Sequence, residues 1–197
     1  MNRKTLVIIG KSPIIDMYDE EIKLLIDKYD TLSINSVATK YHTKYCSFLD
    51  TSIKYYAHHI PEDVTCITTP INVGYCKNHP VEIYKSFKYK EGKVYTDNSL
   101  AYFGFTHDFA ISWGIKSKYC NIVLVGAADF DTDKYCSSIK FSMPTFRISK
   151  FVEDASINGI SKVFTNFTHM YTINPMSKLN IDKISISDLL YNANYTF

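Results

Sequence analysis

The clearest pattern in the chain is a set of short apolar runs, each closed by a turn residue and followed by polar or helical-period sequence. Ile122-Val123-Leu124-Val125 is apolar at every position, which predicts a strand buried on both faces, as in the middle of a parallel sheet. It stops at Gly126, and Ala127, Ala128 and Asp129 follow. Thr5-Leu6-Val7-Ile8-Ile9 is a second such run, closed by Gly10 and the turn Lys11-Ser12-Pro13. Residues 19–29 place Ile22, Leu25 and Ile26 on one helical face and the charged residues mostly elsewhere. Strand, glycine turn and helix is the opening unit of a doubly wound sheet.

Further strands are predicted at residues 32–34, 46–49, 65–67 and 163–167, with a short helix over 51–59. Residues 71–97 break the alternation, with Gly74, Asn78 and Pro80 among them. Within this insert a β-hairpin is expected over 83–95, turning at Glu91-Gly92. Its lysines interleave with aromatic residues, as in a solvated hairpin or in a platform for phosphate groups. Asn98-Ser99 reads as the cap of an apolar helix running to Trp113 and ended by Gly114. A polar loop over 131–144 and a helix over 146–156 complete the pattern. The expectation is a single α/β domain over residues 1–197: a mostly parallel sheet, flanking helices and a small hairpin insert.

Composition changes this picture little. The net charge of +2 does not by itself argue for nucleic acid or membrane. Five cysteines without a C-x-x-C pair predict reduced thiols, no metal site and a cytoplasmic protein. No apolar run approaches the roughly 18 residues of a membrane span. The chain is rich in tyrosine, with 16, and some of these are candidates for lining a cleft.

In an open parallel sheet ligands sit beyond the carboxyl ends of the strands. The residues expected there are Gly10, Lys11 and Ser12, whose backbone N–H groups could meet a phosphate. Asn35 and Asp50 end the next two strands and could hydrogen-bond a sugar or base. Gly126 and Asp129 end the central one. On the apolar helix, His107 and Asp108 are the strongly polar interior residues; a lone histidine there is more often a satisfied core residue than a catalyst.

Four of these stretches resemble the sialyltransferase-like Rossmann group, the bacterial family 42 sialyltransferases and their relatives. They are Leu6 to Pro13; Asn35 with Asp50; Gly114-Ile115-Lys116 through Gly126 and Asp129-Phe130; and Asn174-Pro175-Met176-Ser177-Lys178-Leu179. The chain departs from the family pattern at Lys11 and Ser12, which replace Asn and a second Gly, and in one extra Ala before Asp129. The segment in which the family carries its catalytic histidine has none here over residues 131–150.

The resemblance implies a Rossmann-like domain that binds a nucleotide sugar without a metal or other cofactor and transfers the sugar to an acceptor hydroxyl. It implies phosphate at Gly10, Lys11 and Ser12, with base and ribose on Asn35, Asp50 and the Gly126 turn. The base for the acceptor proton is then sought among Asp129, His79 and His107. The acceptor is a surface glycan or a nucleic acid, and a homo-oligomer is one option. The alternative reading is a non-catalytic nucleotide or sugar-phosphate binding module of the same fold.

Overall fold

The computed structural model describes residues 4–89, 93–129, 136–139 and 149–191. Its strands are β1 (Thr5–Ile9), β2 (Asp30–Ile34), β3 (Tyr45–Phe48), β4 (Thr65–Thr68), β5 (Val81–Ile83), β6 (Lys85–Lys88), β7 (Tyr95–Thr96), β8 (Ser99–Tyr102), β9 (Asn121–Val125), β10 (His169–Thr172) and β11 (Asp182–Lys183). Its α-helices are α1 (Ile14–Met17), α2 (Asp19–Lys28), α3 (Thr106–Lys116), α4 (Lys150–Asn158) and α5 (Ile186–Tyr191). Eight strands form one sheet in the order β11-β10-β9-β1-β2-β3-β4-β5, and every pairing in it is parallel. The chain winds outward from β1 to β5, then returns to the other side of β1 through β9, β10 and β11. Strand order therefore reverses between β1 and β9.

The all-apolar runs predicted this position. Both β1 and β9 are buried at all five residues, because each is covered on two sides. On one face Leu6, Ile8, Leu32, Ile122 and Leu124 pack against Phe109, Ala110 and Trp113 of α3 and against Ile160 and Phe164. On the other, Val7, Ile9, Val123 and Val125 pack against Ile15, Ile22 and Leu25 and against Leu189 and Leu190 of α5. Each fully buried aliphatic side chain contributes about 1.5–3 kcal/mol, so these two layers hold the sheet. Among the described residues no helix is long and apolar enough to cross a membrane.

Three expected elements take a different form. Residues 163–167 are helical, not a strand: a π-helical turn over Gly159–Val163 runs into a 3-10 turn over Phe164–Asn166, and the strand beside β9 is β10. Ile160, Val163, Phe164 and Phe167 follow the i, i+3, i+4, i+7 spacing of a helix face, which outweighs the local β-propensity of Val and Phe. The helix expected from Ser99 begins only at Thr106, because Ser99–Tyr102 is β8. Gly104 breaks the chain between them at φ +149°, with the Val152 side chain 2.3 Å from where a β-carbon would lie. That helix also runs past Gly114 to Lys116. A β-carbon on Gly114 would come within 2.9 Å of Leu6 and Ile122, so this glycine serves close helix–sheet packing and not termination.

The hairpin over 83–95 does not form as expected. Ile83 belongs to β5 in the main sheet, and β6 pairs in parallel with β8. The antiparallel hairpin is β7–β8, turning through Asp97 and Asn98, in a separate three-stranded sheet ordered β6-β8-β7. The turn expected at Glu91-Gly92, most of the loop over 131–144, and the first residues of the helix over 146–156 lie outside the described residues.

Candidate functional site at the carboxyl edge

Because β1, β2, β3, β4 and β9 are parallel, their carboxyl ends share one edge. At the reversal point this edge is tightly closed. The Gly10 N–H donates to Val125 O at 2.9 Å, and the Ser12 N–H donates to Gly126 O at 3.0 Å. A β-carbon on Gly10 would lie 2.2 Å from Gly126 O. The turn after β1 thus extends the β1–β9 ladder by two hydrogen bonds, and the N–H groups of Gly10 and Ser12 are used by protein. Gly126 sits at φ +63°, with Ile15 Cγ2 2.6 Å from its missing β-carbon. Ala128 holds φ 56°, a left-handed conformation that costs a non-glycine residue roughly 1–2 kcal/mol. Such strain at a strand end marks a turn whose shape is imposed by its surroundings.

Lys11 projects from this closed turn into a desolvated setting. Burial pulls its pKa below the usual lysine range, opposed by the charge of Asp50. The ends of β1 and β3 therefore interact electrostatically across the end of β2, where Asn35 lies. Asp50 itself is exposed, and its Oδ1 accepts from the Ser52 N–H at 2.8 Å, capping the 3-10 helix Thr51–Tyr55. Residues 136–139 fold back over the β1 turn. The Cys136 N–H donates to Lys11 O at 2.7 Å, the Ser137 N–H to Asp16 at 2.7 Å, and Lys40 Nζ to Ser138 Oγ at 2.8 Å.

The most informative atoms lie further along the edge, at the ends of β2, β3 and β4. Asn35 is held at φ 55°, and its Oδ1 is buried without a hydrogen-bond partner. Ser36 Oγ, Ser47 Oγ, Thr69 Oγ1 and Asn72 Oδ1 share that condition. Ser47 lies in register between Ile34 and Ile67, so it occupies the central one of three adjacent strands. Thr69 follows the last residue of β4. Asn72 Nδ2 donates to Leu49 O at 2.9 Å, which pins the loop after β4 to the end of β3. Buried polar atoms in native proteins almost always have partners, and each one left alone costs about 1–3 kcal/mol. These oxygens are grouped on neighbouring strand ends, so together they present acceptors along one edge of the sheet.

Of the three residues considered for proton transfer, Asp129 lies at this edge, four residues beyond β9, with both carboxylate oxygens buried. His79 lies elsewhere. It precedes β5, and the Cys66 N–H donates to Pro80 O at 2.8 Å, so His79 belongs to the amino edge of the sheet. Four residues of strand, at about 3.3 Å each, separate the two edges.

His107 is committed to a buried network. His107 Nε2 lies 3.1 Å from Ser156 Oγ, and Ser156 Oγ donates to Asp108 Oδ1 at 2.6 Å. Asp108 Oδ2 accepts from the N–H groups of Phe103 and Phe105 at 3.1 and 3.0 Å. Burial lowers the His107 pKa, against the pull of the Asp108 charge, which favours the neutral ring. Serine, histidine and aspartate are the residue types of nucleophilic catalysis, but their order here is wrong for it. The serine sits between histidine and aspartate and gives its proton to the aspartate, so the network ties the start of α3 to α4.

Among the described residues no group of three or more His, Cys, Asp or Glu could hold a metal ion. All five cysteines are free thiols. Sequence reasoning placed Gly10, Lys11, Ser12, Asn35, Asp50, Gly126 and Asp129 on this edge and missed Ser47, Thr69 and Asn72. A signal for Ser47 was present: a hydroxyl between Cys46 and Phe48 in an otherwise buried run. Comparison of the chain with protein-family models, with curated proteins and with solved structures gave no match in any of the three.

Proposed function

We propose that the chain binds a nucleotide sugar along the carboxyl edge from β9 to β4 and transfers the sugar to an acceptor hydroxyl, in the manner of the sialyltransferase-like group its motifs resemble. The observation that carries the binding half is the set of buried, unpartnered oxygens of Asn35, Ser36, Ser47, Thr69 and Asn72. Base and ribose offer donors and hydroxyls that suit these oxygens. The Lys11 ammonium, on the same edge, supplies the charge for phosphate, in place of the Gly10 and Ser12 N–H groups that the backbone uses.

In the transfer step the acceptor oxygen bonds to the anomeric carbon while the bond to the nucleotide phosphate oxygen breaks. The acceptor proton goes to the Asp129 carboxylate, and the negative charge on the departing phosphate is met by Lys11. No metal is needed for this balance. The free thiols favour a reducing, cytoplasmic setting for it.

The second reading, a binding module without turnover, is favoured by the place of His79 on the amino edge and by the commitment of His107 to the buried Ser156–Asp108 network. A thermal-shift screen of nucleotides and nucleotide sugars, followed by product detection with each stabilising ligand and a panel of acceptors, tests both. A ligand at a hundred times its Kd should add about 2.7 kcal/mol of stability. Stabilisation with product supports transfer, stabilisation without product supports the module, and no stabilisation by any nucleotide overturns both.

A further inference from the structure

We propose that the face formed by the small sheet and the carboxyl end of α3 binds single-stranded nucleic acid. Lys88 of β6 and Lys93 before β7 are exposed, and by strand alternation both lie on the face of the small sheet that carries Tyr95. The fold adds Lys116 from α3, more than twenty residues away in sequence. Its Nζ lies 5.7 Å from the ring centroid of Tyr84 and 5.7 Å from that of Tyr95. None of these three lysines forms an ion pair among the described residues, whereas Lys23, Lys40, Lys44 and Lys178 do. The nearby carboxylate of Glu82 is taken by Trp113 Nε1 at 2.8 Å and by the Tyr84 hydroxyl at 2.9 Å. The whole chain carries a net charge of only +2, and here three ammonium groups around Tyr95 outnumber the nearby carboxylates of Glu82 and Asp97, which leaves a local positive excess.

Charge alone would fit any polyanion; the rings narrow the choice. Tyr95 is 40% exposed beside the lysines. An unpaired base can stack on such a ring while its phosphates meet the ammonium groups. A duplex keeps its base faces stacked inside, and an acidic polysaccharide has none. This surface shares no residue with the carboxyl-edge site, so the proposal stands or falls separately from the nucleotide-sugar reading.

The test is fluorescence anisotropy of a labelled oligodeoxythymidylate titrated with the full chain over a range of salt, with duplex DNA and heparin as competitors. Three phosphate contacts predict a slope of log K against log salt of about −2, and Lys88→Ala with Lys93→Ala should reduce it by about 1.4. Tyr95→Ala should weaken binding at least fivefold. Lys162→Glu, a charge change elsewhere on the surface, should leave it unchanged. Circular dichroism and a nucleotide titration of each variant establish that the fold and the edge site persist. Unchanged affinity in the Lys88/Lys93 variant, or equal competition by heparin with no effect of Tyr95→Ala, overturns the proposal.

Discussion

Gly10 and Gly126 lie so close that a β-carbon on the first would sit 2.2 Å from the carbonyl oxygen of the second. The approach brings the turns after β1 and β9 into hydrogen-bonding contact and sets the floor of the carboxyl edge. Replacing Gly10 by Ala must push the two backbones apart, at a cost of about 3 kcal/mol by the measure of overpacked cores. Gly126→Ala adds a left-handed penalty of roughly 1–2 kcal/mol to its contact with Ile15. Denaturant unfolding of both variants checks this; a midpoint equal to the parent's for Gly10→Ala would mean that the ladder does not extend through the turn.

Asn35 combines a left-handed backbone with an unpartnered side-chain oxygen, so two substitutions separate its roles. Asn35→Gly keeps the backbone relaxed and removes the oxygen. It should retain most of the stability and lose up to roughly tenfold in nucleotide affinity, the worth of one neutral hydrogen bond. Asn35→Ala should lose the same affinity and also about 1 kcal/mol of stability. Isothermal titration beside thermal unfolding reads both quantities, and undiminished nucleotide affinity in Asn35→Gly would remove this residue from the site.

For catalysis, Asp129→Asn should reduce kcat far more than it raises KM, since the carboxylate acts on the acceptor proton. His79→Ala should change neither constant, because that residue is on the amino edge. Steady-state kinetics with whichever donor gives product decides the matter: retained turnover in Asp129→Asn assigns the proton to another group.

The Asp108 network predicts stability effects. Asp108→Ala leaves the Phe103 and Phe105 N–H groups and the Ser156 hydroxyl without their acceptor, a loss of about 3 kcal/mol. His107 adds a pH dependence. Its pKa in the fold lies below the ordinary 6.5, so as pH falls past that value the unfolded chain takes up a proton that the folded ring refuses. Stability therefore falls with decreasing pH from about 6.5 to the depressed folded pKa, and His107→Gln should flatten that part of the profile. Denaturant midpoints measured from pH 8 to pH 5 provide the comparison.

The linear pattern of apolar residues was enough to locate β1, β2, β3, β4 and β9, but not β5, β10 or β11 of the same sheet. Runs apolar at every position, such as Leu6 to Ile9 and Ile122 to Val125, can be satisfied only where both faces are covered, and their glycine ends located the edge where strands open. The same pattern located the candidate residues at that edge, because parallel strands share a carboxyl end. Where local propensity and periodicity disagreed, as over 163–167, the helical spacing was legible but the β-branched and aromatic residues masked it.

Other features were settled by packing in three dimensions. The pairing partner of β6 is β8, which follows a later turn, and no local signal specifies a parallel partner. Whether the Gly10 and Ser12 N–H groups were available to a ligand depended on how closely β9 approaches β1. Lys116 joined the lysines of the small sheet, and His79 was removed from the carboxyl edge, through crossovers that reverse the chain's direction. Hydrogen-bond satisfaction is a property of neighbours in space, so the unpartnered oxygens of Ser47, Thr69 and Asn72 became visible only when the strands were set side by side.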